Sequence, residues 1–594
     1  MIKYNNIYEQ VVDFVTTPVE ITNFYISYIK TLNDLSSLFY FECISLNYSQ
    51  ILVSNLALNN ILSSHFVLVL PEIFIIAMLF VLLLYSIWIY KKTNKHSVID
   101  ITFGLLSINF FSFIFYFNSI SYKSYFLFNS LYLIDFYNII SKLIFLFSSS
   151  IVLFLTIFVF NKKKLKFNRY EYPIIIGFAN LSCCLLISSF DLILLYLSIE
   201  CLSFCLYILV LFKIKNKLTA EAGLKYFCLG VVASSSILFG ISLIYGAICS
   251  TNFMYIKAYL DNCCTSDPLV YTGFIYILSG FFFKLAVFPY HMALIDVYDG
   301  SSLSVTTYLV TVVKFVMIIV LCKLLMYVFY SIQGLWSPLL AFVSITSMIF
   351  GSVGALYQQR IKRFFAYSSI HQVGYIILSL ATGTATGLFS SIFYVIIYNL
   401  TAIGFFGVLI FYNSSHFTYK KLKLIYLNNL YLLWKYKPSL SIIFMVIIFS
   451  LANIPPFTSF FAKLYIFKSV MHCSYSYIWW LAFPALITSI LSSFYYLRIL
   501  KFMLFENFKF NVLNTIKYNF NINYVVTKDN LSLNLYKLIH TFVYFILIFL
   551  TIIFLGFPVF SNSFIILVET LSISCINPHN LLEYLAFKNS NYII

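Results

Sequence analysis

The chain has 594 residues, 62% hydrophobic and only 10% charged, with a mean hydropathy of +0.93. Soluble domains carry about 25% charged residues, so a soluble globular protein is excluded, and long apolar runs in succession exclude disorder, a disulfide scaffold and a coiled coil. The net charge of +17 comes from short basic clusters between those runs, a pattern of membrane topology and not of a nucleic-acid-binding face.

A bilayer-crossing helix needs about 20 apolar residues. Fourteen candidates follow one another near 65–90, 98–118, 138–160, 172–190, 191–212, 221–248, 268–291, 300–330, 335–357, 363–384, 386–413, 440–471, 476–503 and 538–562. The runs do not alternate as barrel strands would, so the predicted class is an all-α polytopic membrane protein. Residues 1–64 form a mixed N-terminal extension without a clean span, cleavable signal or Arg-rich transit peptide. Residues 65–163 hold the first three spans, 504–537 read as a polar loop, and 563–594 as a C-terminal tail.

Basic residues follow the odd spans: Lys91, Lys92 and Lys95 after the first, Lys162 to Arg169 after the third, Lys213, Lys215 and Lys217 after the fifth, Arg360, Lys362 and Arg363 after the ninth, Lys420 to Lys437 after the eleventh, and Arg498 and Lys501 after the thirteenth. Loops after even spans are poor in base. The positive-inside rule then puts the odd exits on the inner side and both termini on the outer side. The seventh exit departs in sign, with Asp296 and Asp299. Phe 67 and Tyr 49, with lysine far outnumbering the four arginines, suit A/T-rich codons and a compact genome such as an organelle's. The twelve cysteines include no CxxC pair and read as small buried hydrophobes.

Five ionisable residues fall inside spans: Glu200, Lys225, Lys284, Lys314 and Lys463. A charge at a helix centre costs about 2.5–3.5 kcal/mol on insertion scales, so groups placed there are poised to gain or lose a proton. The competing reading is a static ion pair, or a lysine reaching headgroups; it suits Lys225, near its span's start, better than the other four. It is also the preferred reading for Glu72, Lys142 and Lys323, near span ends. Two spans carry helix-breaking proline beside a lysine: Pro289 five residues after Lys284, and Pro455 and Pro456 ahead of Lys463. Proline frees a carbonyl that must find protein or water. Interrupted spans at matching places point to a transporter with internal repeats. Five spans separate the two breaks, so spans four to eight (172–330) and nine to thirteen (335–503) would be inverted repeats. His291 and His371 are possible relays, against the plainer reading of a histidine bonded to a backbone carbonyl. No metal-ligand spacing, P-loop, GxGxxG or nucleophile elbow occurs.

The stretch GFFFKLAVFPYHMALIDVYDGSSLSVTTYLVTVVK resembles the NADH-ubiquinone oxidoreductase chain 2 family, antiporter-like membrane subunits of respiratory complex I. So do DLILLYLSIECLSFCLYIL, EAGLKYFCLGVVASSSILFGISLIYG, RIKRFFAYSSIHQVGY and LANIPPFTSFFAKLYIF, which together span most of residues 170–500. The opening span, FVLVLPEIFIIAMLFVLLL, looks like the family's start. The resemblance implies a fourteen-helix bundle with two inverted five-helix repeats and broken seventh and twelfth helices. It implies proton-transfer roles for Glu200, Lys225, Lys284, Lys314 and Lys463 along a hydrated mid-plane path, and a loop after the broken helix holding Asp296, Tyr298 and Gly300. It further implies the mitochondrial inner membrane, other membrane-arm and antiporter-like subunits and lipids as partners, and no nucleic acid. NAD, FMN, iron–sulfur clusters and ubiquinone are expected in other subunits, with no cofactor or metal on this chain. The sequence departs from the family where Ala293 replaces its usual Trp and where Ile295, Ser302 and Ser304 replace Pro. His371 stands one position before the family's usual histidine, which is Gln372 here; that shift turns the ring by about 100° on a helix. A sodium/proton antiporter subunit and a non-pumping structural subunit are the alternatives.

Overall fold

The computed structural model describes residues 68–91, 98–120, 124–160, 170–212, 217–262, 267–415, 424–473, 475–505 and 530–576. The chain divides into two units, Met1–Leu70 and Pro71–Ile594, and the architecture below is that of the second. The expected N-terminal extension lies outside the described residues, as does much of the 504–537 loop.

The helices, in chain order, are α1 Leu68–Lys91, α2 Val98–Asn118, α3 Phe136–Phe160, α4 Glu171–Ser188, α5 Leu192–Leu211, α6 Lys217–Ile248, α7 Phe253–Asn262, α8 Pro268–Leu285, α9 Met292–Gly300 and α10 Leu303–Val328. There follow α11 Gln333–Tyr357, α12 Ile361–Ala381, α13 Ala385–Ser415, α14 Tyr431–Tyr436, α15 Pro438–Leu451, α16 Thr458–Met471, α17 Ser476–Trp480, α18 Ala482–Leu504 and α19 Asn530–Ile576. Among the described residues, twelve helices are long and apolar enough to cross a membrane. The α15–α16 pair, two 14-residue halves, and α19 account for the other two expected spans. The last span is longer than the sequence suggests. At 47 residues, α19 extends about 70 Å and takes in part of the expected polar loop and of the tail.

The sequence fixes several ends locally. Asp191 caps α5, its carboxylate accepting the Ile193 N–H at 2.7 Å and the Thr251 hydroxyl at 2.8 Å. Pro268 and Pro438 occupy first-turn positions of α8 and α15, where a missing N–H costs nothing. Serines deep in the spans donate to the carbonyl three residues back, as Ser182 does to Ala179 and Ser369 to Ala366, so their hydroxyls are satisfied without leaving the helix.

Among the described residues one element is not helical. Strands β1 Tyr125–Leu127 and β2 Tyr132–Ile134 pair antiparallel, Phe126 opposite Leu133. The hairpin lies where several spans end: Phe190 N–H donates to Leu131 O, Leu192 N–H to Thr251 O, and Asn252 to Ser130 O.

Burial sorts the helices. α10 is buried on every face from Ser304 to Val328, with α12 and α13 nearly as enclosed, whereas α1, α2 and α18 turn large apolar side chains outward. Lipid is as apolar as leucine, so these helices associate by close packing and not by the hydrophobic effect. Small residues supply it. A Cβ on Gly240 would lie 2.5 Å from the Gly273 carbonyl oxygen, one on Gly273 2.8 Å from that of Gly240, and one on Gly351 2.6 Å from the His371 backbone nitrogen. The pairs α6–α8 and α11–α12 thus touch backbone to backbone.

Both predicted breaks are present, with sharper limits than the sequence suggests. α8 stops at Leu285, Ala286 turns left-handed at φ 60°, the Phe288–Pro289 bond is cis, and α9 resumes at Met292. α15 stops at Leu451, Asn453 is left-handed at φ 59°, the Pro455–Pro456 bond is cis, and α16 resumes at Thr458. In each case the left-handed residue stands three places before the cis proline. Asp296, Tyr298 and Gly300, expected in a loop, sit in α9, which continues the broken span.

Candidate functional site

Three of the four lysines expected in the row are buried: Lys284 is 6% exposed, Lys314 1% and Lys463 4%. Each faces the ring of a buried tyrosine. The Lys284 amine is 5.7 Å from the centre of Tyr207, the Lys314 amine 5.7 Å from Tyr298, and the Lys463 amine 4.3 Å from Tyr375. The negative face of a ring offers a cation partial solvation without neutralising it. Lys314 also donates to Ser369 Oγ at 2.8 Å. The amines of Lys284 and Lys463 have no hydrogen-bond partner among the described residues. A structural ion pair would have matched each with a carboxylate.

The groups form two clusters. In the first, Glu200 on α5 accepts from Ser203 at 3.2 Å, and its Oε1 is buried without a donor. Tyr207, two turns further along α5, lies against Lys284, and Glu200 is the acid whose field reaches that amine. In the second, α12 joins two lysines. Its Ser369 holds Lys314, its Tyr375 underlies Lys463, and between them His371 packs edge-on against Tyr375 at 5.0 Å. His371 Nδ1 lies 3.4 Å from the Tyr495 hydroxyl, and its Nε2 has no partner. His371 is therefore at the site despite its shift from the family's position, while Gln372 is bonded by Tyr394. No contact among the described residues brings His291 to a lysine; its ring stacks on Phe288 at 5.6 Å beside Phe350.

Lys225 stands apart from the expected row. Its side chain is 42% exposed and is paired with Glu221 at 2.7 Å and Asp296 at 2.8 Å. It lies early in α6, at the bundle end where α9 finishes and α12 starts. There Asp299 takes Arg360 at 2.6 Å and Arg363 at 2.9 Å, and Lys362 donates to the Ser301 carbonyl. The aspartates behind the seventh exit are the counter-charges of this basic cluster, which explains their sign. Asp299 beside it raises the Arg360 guanidinium above its ordinary value.

Three features escaped the sequence reading. The tyrosines under the lysines come from α5, α9 and α12, so no spacing joins them to their amines. Lys314 directly follows a π-helical turn, Leu309–Val313, and a second follows at Leu324–Val328; such widened turns recur at functional sites. Third, Glu72, Lys142 and Lys323, which their positions assign to the membrane surface, are buried. No group of three or more His, Cys, Asp or Glu able to hold a metal occurs among the described residues.

Residues 189–492, which contain Glu200, the three buried lysines and their tyrosine rings, match the family described as NADH:quinone oxidoreductase/Mrp antiporter, transmembrane. The chain belongs to that family. NADH:quinone oxidoreductase/Mrp antiporter relatives include the NADH-quinone oxidoreductase subunit N of Pelagibacter ubique, 36% identical over 442 residues, which cover 74% of this chain and 90% of that one. The NADH-ubiquinone oxidoreductase chain 2 of Marchantia polymorpha is 32% identical over 451 residues, covering 74% and 89%. In fold the chain is similar to a chain of respiratory complex I from Thermus thermophilus, with a TM-score of 0.62 at 24% identity, covering 81% of this chain and 97% of that one. It is also similar to a chain of the Mrp complex from Dietzia sp., with a TM-score of 0.67 at 17% identity, covering 86% and 97%.

Proposed function

We propose that the chain is a proton-translocating, antiporter-like subunit of respiratory complex I, coupling electron transfer from NADH to ubiquinone to proton movement through Glu200, Lys284, Lys314 and Lys463. The observation that carries this reading is the pair of buried amines, Lys284 and Lys463, left without hydrogen-bond partners beside helix breaks. A buried amine with neither counter-ion nor acceptor is costly, and the helix breaks offer free backbone groups for a hydrated path. Redox chemistry, with its NAD, FMN, iron–sulfur clusters and ubiquinone, belongs in this reading to other subunits. The partners are other membrane-arm subunits, and the large apolar side chains exposed on α5 and α6 suit lipid or such neighbours. The similarity to the Marchantia chain, with the Phe-, Tyr- and Lys-rich composition, favours a mitochondrial inner-membrane setting with the basic ends inside.

Here the work is electrostatic. A carboxylate brought toward a buried amine favours its charged form and one moved away favours release of the proton, and Glu200 is the acid on α5 that could act so on Lys284. A proton reaching Lys314 can pass along the α12 groups, by way of Ser369, His371 and Tyr375, to Lys463. In Glu200→Gln, protons pumped per electron pair should fall while the complex still assembles; an unchanged ratio would remove Glu200 from the mechanism. A sodium/proton antiporter subunit is the second reading, favoured by the likeness to the Mrp chain. Purification of the native assembly separates the two, since NADH dehydrogenase activity travelling with the chain supports complex I and its absence supports the antiporter.

A further inference from the structure

Glu72, Lys142 and Lys323 take no part in the row above, yet they are 2%, 2% and 4% exposed. They come from the start of α1, the first turns of α3 and the last turn of α10's regular segment, all at one end of the bundle, where the hairpin seats. Lys142 Nζ lies 2.6 Å from Glu72 Oε1 and 2.7 Å from the Tyr132 hydroxyl. Tyr116 donates to the same Oε1 at 2.5 Å, and Tyr132 donates to it as well. Three donors therefore converge on one carboxylate oxygen, while the other, Oε2, is buried with none among the described residues. A brace holding three helices would gain by spreading its donors over both oxygens, because an ionised carboxylate accepts at each. Concentrated on Oε1, they leave Oε2 as the place where a proton can settle.

The cluster extends toward the row and toward the surface. Asp135, buried directly after β2, feels both Lys323 and Lys142; burial raises its carboxyl above the usual range against their pull. Lys323 donates to the carbonyls of Ser189 at 2.8 Å and Ile187 at 3.3 Å, and it shares α10 with Lys314, nine residues and about 13 Å away. Tyr132 belongs to the hairpin, whose Tyr125, Phe128 and Leu131 are exposed.

We propose that Glu72, Lys142 and Tyr132, with Asp135 and Lys323 beside them, form a terminal proton-exchange station between the interior row and the surface at this end. The inference rests on the proton-translocating reading above. A proton arriving on Glu72 Oε2 converts carboxylate and ammonium into carboxylic acid and ammonium, raising the local charge by one. Its departure through the Tyr132 side restores the ion pair, so one proton enters and one leaves.

The test uses the whole complex in sealed vesicles, measuring protons pumped per NADH oxidised for Glu72→Gln, the charge-neutral double Glu72→Gln with Lys142→Met, Tyr132→Phe, the conservative Glu72→Asp, and Lys314→Ala as a reference. The proposal expects assembled complexes in which the first two pump at less than half the wild-type ratio, Tyr132→Phe shows a smaller loss, and Glu72→Asp recovers. A wild-type ratio in both Glu72 variants overturns it, and so does a loss of assembly common to all the cluster variants, which assigns the cluster to holding the helices. If Lys314→Ala is impaired while the Glu72 variants are normal, only this inference falls. If Lys314→Ala is normal too, the proton-translocating reading falls with it.

Discussion

Lysine at a helix centre is tolerable only when its surroundings stand in for water. At Lys314 a serine hydroxyl and a ring edge the amine; at Lys463 a ring alone does so. The two sites therefore differ in what a substitution removes. Lys463→Ala takes away an amine that nothing bonds, so assembly should survive while pumped protons per electron pair fall. Lys314→Ala also orphans Ser369 Oγ, but that hydroxyl already donates to Ala366 O at 2.7 Å, so its cost in stability should be small, below about 1 kcal/mol for that hydrogen bond. Proton uptake in vesicles measured beside electron transfer checks both, and wild-type coupling in both variants would leave these amines without a role. Glu200, Lys284, Lys314 and Lys463 are legible in the sequence because a charge in an apolar run has no ordinary explanation. Their tyrosines are not, because an aromatic among aromatics carries no signal until the fold sets it under an amine.

At the scale of the helix, proline marks the breaks in the sequence, but the residues that turn the chain are Ala286 and Asn453. A left-handed residue with a Cβ costs about 1–2 kcal/mol, more with a branched side chain. Ala286→Val should destabilise the protein by about 1–2 kcal/mol or more, read as a lower midpoint of thermal unfolding in detergent; an unchanged midpoint would mean that Ala286 does not set the turn. Gly273→Val places a branched side chain where a single Cβ would already lie 2.8 Å from the Gly240 carbonyl. Loss of about 1–3 kcal/mol is expected from such overpacking, with α8 displaced and Lys284 with it. Native stability and pumping should then fall together, and a stable variant with normal coupling would show that the α6–α8 contact is slack. The exact helix limits, the π turns and the hairpin were illegible for a common reason. Each is set by what neighbouring helices demand, and hydropathy reports only that a segment is apolar.

For the molecule as a whole, the charges sort by depth. One end carries Lys225, Asp296, Asp299, Arg360 and Arg363 as a partly exposed network, the interior holds single amines, and the other end buries Glu72 with Lys142. Exposed pairs are individually worth about 0–1 kcal/mol and are screened by salt. Asp299→Asn should therefore weaken the joining of α9 to α12 modestly, by about 1 kcal/mol, and high salt should reproduce part of that loss in the wild type. A variant as stable as wild type at low salt would show that the network does not fasten these helices. The expected even count of spans rests on loop charge alone. The sign reversal at Asp296 and Asp299 needed the structure, because their partners Lys225 and Arg360 lie 71 and 61 residues away in sequence.

The complete enclosure of α10 limits how anything outside can act on it. A detergent, an inhibitor seated on the rim or a neighbouring chain has no access to Lys314 or Lys323. Any signal from the rest of an assembly must reach them second-hand, as a displacement of the helices packed around that central rod.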